Sequence, residues 1–145
     1  MEENEIPIAD RIRRYERMCF GAKAWSINQI RGYLVLSTSV TVMTDKGYAI
    51  GCFVGGEAEI YRIGVPEEER GNGYGTIILT EFIKACLSHG ELTRVFLEVR
   101  SRNIPAVCFY KKHGFTMIGR RKQYYGDDDA LVFEVKISGS SEEAE

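Results

Sequence analysis

The sequence predicts a mixed α/β domain whose central sheet is antiparallel at its start and parallel where a helix intervenes. Its 145 residues are 44% hydrophobic, which is enough for one sizeable core. Three strand-like segments at 33–65 are separated only by short turns, which is typical of an antiparallel meander. A helical segment then lies between two strand-like ones, and strands joined by a helix crossover run parallel.

Four segments have helical patterns. The first is loosely amphipathic, with Ile12 and Cys19 at helical spacing and arginines on the opposite side. Ser26 is a candidate N-cap for a short second helix, and Asn103 is a candidate N-cap for the last helix, which Gly114 would follow. The predicted helices are 9–20, 26–30, 76–87 and the segment between 103 and 114.

Six segments have the β-branched and aromatic composition of strands. The turns between the first three are marked by the glycines at 47 and 55–56. The predicted strands are 33–43, 48–54, 57–65, 93–99, 115–125 and 130–137. With the four helices, this gives a sheet of six to seven strands flanked by about four helices.

Composition and charge argue against several classes of protein. The formal charge is −2, whereas a dedicated nucleic-acid binder would carry a basic face. The longest uncharged run, 32–44, is too short to cross a bilayer, and the acidic N-terminus is unlike a signal peptide, so we expect a cytoplasmic protein. The four cysteines lie far apart without a CxxC pair, so no metal site is predicted. We expect one domain at 1–137 and a disordered acidic tail at 138–145.

The sequence is organised around a glycine-rich loop at 70–75. It follows a strand and opens a helix, an arrangement in which free N–H groups and the helix dipole face an anion. The loop sequence does not match the dinucleotide-binding fingerprint GxGxxG, because Thr76 occupies the position of the third glycine. The P-loop motif GxxxxGK[ST] does not occur either. The loop therefore predicts either a different phosphate site or a tight turn without a ligand.

Together with two later motifs, this loop resembles the GNAT superfamily of N-acetyltransferases. The loop spells RxxGxG at 70–75, LEVRxxN follows at 97–103, and YxxxGF follows at 110–115. Several motifs in fixed order are far more specific than any one of them. The resemblance spans 10–137 and is strongest to the ribosomal-protein-alanine N-acetyltransferase branch, whose first strand would here be reduced to 5–8 or missing.

The resemblance implies acetyl-CoA as co-substrate and no metal. A strand backbone would pair with the pantetheine arm, and loop amides would hold the pyrophosphate, which explains how an acidic protein can bind a polyanion. Arg70 could either add positive charge at the phosphates or be a surface residue without a role in binding. Asn103 could both cap the helix and contact the cofactor. The residues implied in cofactor binding are Ile63, Gly64, Val65, Arg70, Gly71, Asn72, Gly73, Tyr74, Gly75, Thr76 and Asn103.

Two residues are implied in catalysis. Glu98 lies in an otherwise apolar strand, where a carboxylate either belongs to a site or is turned to solvent by alternation. By resemblance, Glu98 is the general base, acting directly or through water. Tyr110 is the general acid, which gives its phenolic proton to the coenzyme A thiolate; the alternative is a core tyrosine.

The acceptor is less well defined. An α-amine, with a pKa of about 7.7 to 8, reaches its neutral form more easily than lysine, with a pKa of about 10.4. The resemblance implies direct transfer to the N-terminal α-amine of a ribosomal protein, by a monomer or weak homodimer that binds neither nucleic acid nor membrane. Trp25, Tyr124 and Tyr125 would line the acceptor groove, or else cap the core. Lysine or small-molecule acetylation, and acetyl-CoA sensing without transfer, are the alternatives.

Overall fold

The computed structural model describes residues 6–137, which form one six-stranded sheet and four α-helices. This confirms the predicted mixed architecture. The predicted tail at 138–145 lies outside the described residues. The strands are β1 (Ser39–Met43), β2 (Tyr48–Val54), β3 (Glu57–Gly64), β4 (Arg94–Arg100), β5 (Thr116–Arg121) and β6 (Ala130–Lys136); the helices are α1 (Ile8–Phe20), α2 (Ile27–Leu34), α3 (Tyr74–His89) and α4 (Ile104–Lys112).

The sheet has the order β1-β2-β3-β4-β6-β5. The first three strands pair antiparallel as a meander, and β3 pairs parallel with β4 because α3 crosses over between them. The last two strands form an antiparallel hairpin in which β6 lies beside β4. The antiparallel start and the parallel crossover are both as predicted.

Helices cover both faces of the sheet. On one face, α3 and α4 pack over the larger core, which includes Ile60, Phe82 and Leu97. On the other face, α1 and α2 cover only the first half of the sheet, through a smaller core around Ile12 and Ile30. On this second face, no helix of the described residues covers β4.

The parallel pairing of β3 and β4 stops halfway along the strands. The last paired residues are Ile60 and Leu97, although β3 continues to Gly64 and β4 to Arg100. A bulge causes the separation: in the β2–β3 ladder, Tyr61 is an extra residue without a partner. Beyond this point, one backbone edge of β3 is free.

A buried carboxylate anchors the freed half of β3 to α1. Glu16 is fully buried and accepts a hydrogen bond from the hydroxyl of Tyr48. Its Oε1 also accepts from Arg62 Nη1 at 2.6 Å and from the backbone N–H of Trp25 at 2.7 Å. Because a buried charge needs both an opposite charge and hydrogen bonds, these donors account for its position.

The N-terminal third differs from the prediction at its boundaries. We expected a helix that ends at Ile30 and a strand from Tyr33, but α2 continues to Leu34 and β1 begins at Ser39. A capping box between Ser26 and Gln29 stabilises the helix start. Burial of Ile30, Tyr33 and Leu34 on one side of this helix then outweighs the β propensity of the segment.

Two further boundaries were in question. Of the two alternatives for the first strand, reduced to 5–8 or missing, residues 6–8 fit the second, because they form no strand and Ile8 begins α1; residue 5 lies outside the described residues. The strand expected at 115–125 ends at Arg121, because 122–129 form a turn in which Gln123 has a positive φ of 52°.

The bulge requires a glycine opposite it, at Gly51. A Cβ there would lie 2.0 Å from the carbonyl oxygen of Glu59 and 2.8 Å from the ring of Phe82. We therefore expect Gly51→Ala to reduce the free energy of unfolding by about 3 kcal/mol, as measured by urea denaturation.

Gly32→Ala is the matched control, because Gly32 lies within α2 and, apart from its own helical turns, no heavy atom lies within 4 Å of where an alanine Cβ would be. Alanine is the better helix former, so this variant should gain about 0.5–1 kcal/mol. A Gly51→Ala variant as stable as the parent protein would contradict the account of the bulge.

Candidate active site

A cavity of about 450 Å³ opens where β3 and β4 separate. Its walls come from the end of β3, the glycine-rich loop with the start of α3, and α4, with two residues of α1. All the residues predicted to bind the cofactor line it except Asn72, whose side-chain amide instead donates to the carbonyl of Glu69 at 3.1 Å. The structure thus brings three separate sequence segments to one cavity.

The loop presents the start of α3 to this cavity. Gly73, the N-cap residue, has a φ of 86°, a left-handed conformation that favours glycine. No side chain caps the helix, so the first-turn N–H groups are not satisfied by a capping residue. Positive helix ends with free N–H groups bind anionic groups such as phosphate.

Arg70 and Asn103 flank the loop. Arg70 Nε donates to the carbonyl of Val65 at 2.8 Å, which ties the loop to the end of β3 while the residue lines the cavity. Asn103 is the N-cap of α4, as predicted, and its side chain accepts from the N–H of Ala106 at 3.3 Å. Asn103 also lines the cavity, so its position is compatible with both roles considered from the sequence, helix N-cap and cofactor contact.

Tyr110 projects from α4 into the core and also lines the cavity. It is 7% exposed and packs edge-on against Phe109 and Phe115. The residue lines the cavity, and its described contacts are with aromatic rings. Burial raises the pKa of Tyr110, so the phenol keeps its proton.

Glu98 does not line the cavity and lies on the opposite side of β4. Its neighbours Leu97 and Val99 face the larger core, so strand alternation points Glu98 to the face that no helix covers. There its carboxylate pairs with Arg121, with 3.0 Å between Oε2 and Nη2. The two residues predicted to catalyse transfer therefore flank the strand separation from opposite faces.

The face that carries Glu98, here called the Glu98 face, also holds a second carboxylate. Glu59 lies between Ala58 and Ile60, both in the larger core, and so points the same way as Glu98. Burial raises the pKa of Glu59, and the charge of Glu98 raises it further, while Arg121 lowers it. The three side chains thus interact electrostatically on this face.

Aromatic residues border the Glu98 face on two sides. Trp25 contacts Tyr33, with 4.7 Å between ring centroids, and Tyr33 contacts Tyr61 at 5.0 Å. On the other side, Tyr124 and Tyr125 lie in the turn between β5 and β6. Burial raises the pKa of Tyr125, and the charge of Glu98 adds to the effect.

The aromatic turn is held by acidic residues. Asp128 is 5% exposed and accepts hydrogen bonds from the hydroxyl of Ser101 and the N–H of Arg102. Asp129 accepts from Arg120 Nη1 at 2.6 Å and from the N–H of Gln123 at 2.7 Å. These contacts lower the pKa of both carboxyl groups and fix the position of the two tyrosines.

Sequence reasoning missed several residues of the site. Cys19 and Phe20 reach the cavity from α1, and Phe109 and Lys112 reach it from α4. None of these four is a specified residue of a motif, and tertiary packing alone brings them to the cavity. Glu59 had a weaker signal than Glu98: apolar residues flank it, but its predicted strand also contains Glu57 and Arg62.

The described residues contain neither a candidate metal site nor a candidate membrane-spanning helix. No group of three histidine, cysteine or acidic side chains there could hold a metal ion. In that part of the chain, no helix has the length and apolar character needed to span a bilayer.

Comparison with known proteins assigns the family. The model of the acetyltransferase (GNAT) family matches residues 2–115. The chain belongs to this family.

Three proteins illustrate the similarity to known acetyltransferases. The Escherichia coli (strain K12) ribosomal protein bS18-alanine N-acetyltransferase is 29% identical over an alignment of 147 residues, covering 95% of each chain. The crystal structure of the E. coli ribosomal-protein-S18-alanine N-acetyltransferase matches with a TM-score of 0.78 and 21% identity, over 97% of this chain and 94% of that one.

A Bacillus subtilis relative, whose name gives the same activity provisionally, is 36% identical over 94 residues. The match spans 63% of this chain and 62% of the relative, so the chain covers less than two thirds of that protein's length. An aminoglycoside 6′-N-acetyltransferase complexed with coenzyme A has a TM-score of 0.75 at 14% identity, over 95% of both chains. This GNAT fold therefore extends over nearly the whole chain.

Proposed function

We propose that the protein transfers acetyl from acetyl-CoA to the N-terminal α-amine of a protein, with a ribosomal protein as the candidate acceptor. One observation carries the proposal: the gap between β3 and β4 has different chemistry on its two sides. On one side lie the start of α3, which suits an anion, and the free edge of β3; on the other side lies the face that carries Glu98. The family, and the names of the E. coli and B. subtilis relatives, support the same reaction.

In this proposal acetyl-CoA occupies the cavity. Its pyrophosphate lies on the N–H groups at the start of α3, where the capping position is Gly73. Its pantetheine arm pairs with the edge of β3 that is free beyond Ile60, along Ile63 to Val65. The coenzyme A complex of the structural neighbour supports this assignment of the cofactor.

The chemical step then requires three proton transfers. Glu98, directly or through water, takes the first proton from the acceptor α-ammonium, and the neutral amine attacks the thioester carbonyl carbon. The new C–N bond forms, the C–S bond breaks, and the sulfur leaves with the bonding electron pair. Tyr110 protonates this thiolate, and the nitrogen of the adduct gives up its second proton, which restores the Tyr110 phenol directly or through water. Burial keeps the phenol protonated, and the same dry surroundings raise the proton affinity of the thiolate.

The Glu98 face is the proposed approach route for the acceptor. It is open over β4, and Trp25, Tyr124 and Tyr125 border it. An anionic and aromatic surface suits a protonated amine on a flexible peptide. A ribosomal acceptor would also locate the reaction in the cytoplasm, where the sequence led us to expect the protein.

Two peptides test the choice of acceptor. One has the N-terminal sequence of a ribosomal protein, a free α-amine and no lysine; the other has a blocked α-amine and one internal lysine. With acetyl-CoA, we expect fragmentation mass spectrometry to find the acetyl group on the first peptide only, because its α-amine loses its proton more easily.

Label on the second peptide alone would replace the proposal with lysine acetylation. Label on neither peptide, with binding of acetyl-CoA shown by calorimetry, would favour a small-molecule acceptor or a sensor that does not transfer.

Tyr110→Phe tests the general acid. Loss of the hydroxyl should reduce turnover by about 100-fold or more, with the affinity for acetyl-CoA nearly unchanged, because a proton donor acts in the transition state rather than in binding. Single-turnover kinetics and calorimetry measure the two quantities.

Tyr15→Phe is the control, since its hydroxyl donates to the carbonyl of Thr44 at 2.9 Å and the residue does not line the cavity. It should retain turnover close to that of the parent protein. Equal turnover in the Tyr110 and Tyr15 variants would remove Tyr110 from the mechanism.

A further inference from the structure

The base proposed for acetyl transfer is already paired with a cation of the chain itself. Arg121 Nη2 lies 3.0 Å from Glu98 Oε2, and this is the ion pair that Glu98 makes within residues 6–137. The Glu98 side chain is 21% exposed and that of Arg121 is 57% exposed. An acceptor ammonium that bound this carboxylate would compete with a positive charge already paired with it.

The guanidinium is held weakly. Arg121 is the last residue of β5, an edge strand, and its side chain is 57% exposed. Its other recorded contact is with the ring of Tyr124, whose centroid lies 5.2 Å from Cζ. Exposed ion pairs contribute little to stability, so a competing cation can displace this side chain without unfolding its surroundings.

Arg121 is the cation that pairs with a carboxylate of this face, whereas Arg100, two residues along β4, lies over the ring of Tyr125 with 4.0 Å between Cζ and the ring centroid. Glu59 is half-buried and makes no hydrogen bond or ion pair within the described part of the chain. Glu98 and Glu59 repel each other, and Arg121 offsets both. A departing guanidinium would leave Glu98 without its ion-pair partner and would remove a charge that stabilises ionised Glu59, unless a second cation took its position.

We propose that the Arg121 guanidinium occupies the position of the acceptor ammonium, and that the acceptor must displace it to reach Glu98. This inference rests on the proposed function. Arg121 is then a specificity-determining residue, because only an acceptor that carries a positive charge can replace it beside Glu98 and Glu59. Uncharged nucleophiles such as hydroxyl groups would leave the ion pair intact and the base blocked.

The test is steady-state kinetics with the free α-amine peptide varied at saturating acetyl-CoA. Arg121→Gln removes the competing charge, so we expect KM for the peptide to fall about threefold while kcat stays within about twofold. Arg121→Lys keeps a cation and should keep KM near that of the parent protein. Arg31→Gln, which removes an exposed arginine of α2, is the charge-matched control and should change neither constant.

Added methylguanidinium supplies a second readout that a structural role would not affect. It should inhibit Arg121→Gln competitively against the peptide and raise its KM toward the value of the parent protein. An unchanged or higher KM in Arg121→Gln, or a fall in kcat alone, would overturn the inference. Absence of peptide acetylation by the parent protein would instead refute the proposed function, so the two failures are distinct.

Discussion

The separation of β3 from β4 beyond Ile60 and Leu97 is the constraint on which the rest of the structure depends. It follows from one extra residue in β3, which in turn needs a glycine in β2. The gap frees a backbone edge and opens the cavity. Tyr110 lines the cavity on the covered face of the sheet, and Glu98 lies on the open face of β4.

Beyond the bulge, β3 keeps its pairing with β2 on one side, and an ion pair with the buried Glu16 adds a second anchor. Arg62 comes directly after the bulge, and its guanidinium binds Glu16 and packs over the rings of Phe20 and Trp25. Phe20 lines the cavity, and Trp25 borders the Glu98 face. The contacts that stabilise the freed half of β3 therefore also position both halves of the proposed site.

The features that local sequence determines were predicted well. The β2 strand was predicted with its observed bounds, because glycine turns flank a short apolar run. The loop and the Asn103 cap were predicted because short-range chemistry specifies them. In contrast, Leu34 joined a helix because of burial against distant residues. The ion pair of Arg121 with Glu98 joins β5 to β4 across β6, and such pairings depend on strand order rather than on local pattern.

The most direct test of the central claim is a crystal structure with a conjugate that joins the sulfur of coenzyme A, through an acetyl bridge, to the α-amine of a peptide. The account predicts that the bridge lies in the gap beyond Ile60 and Leu97. The sulfur should be within about 3.5 Å of the Tyr110 hydroxyl, and the peptide should leave along the Glu98 face. A peptide that leaves on the α3 side, or a sulfur remote from Tyr110, would contradict the account.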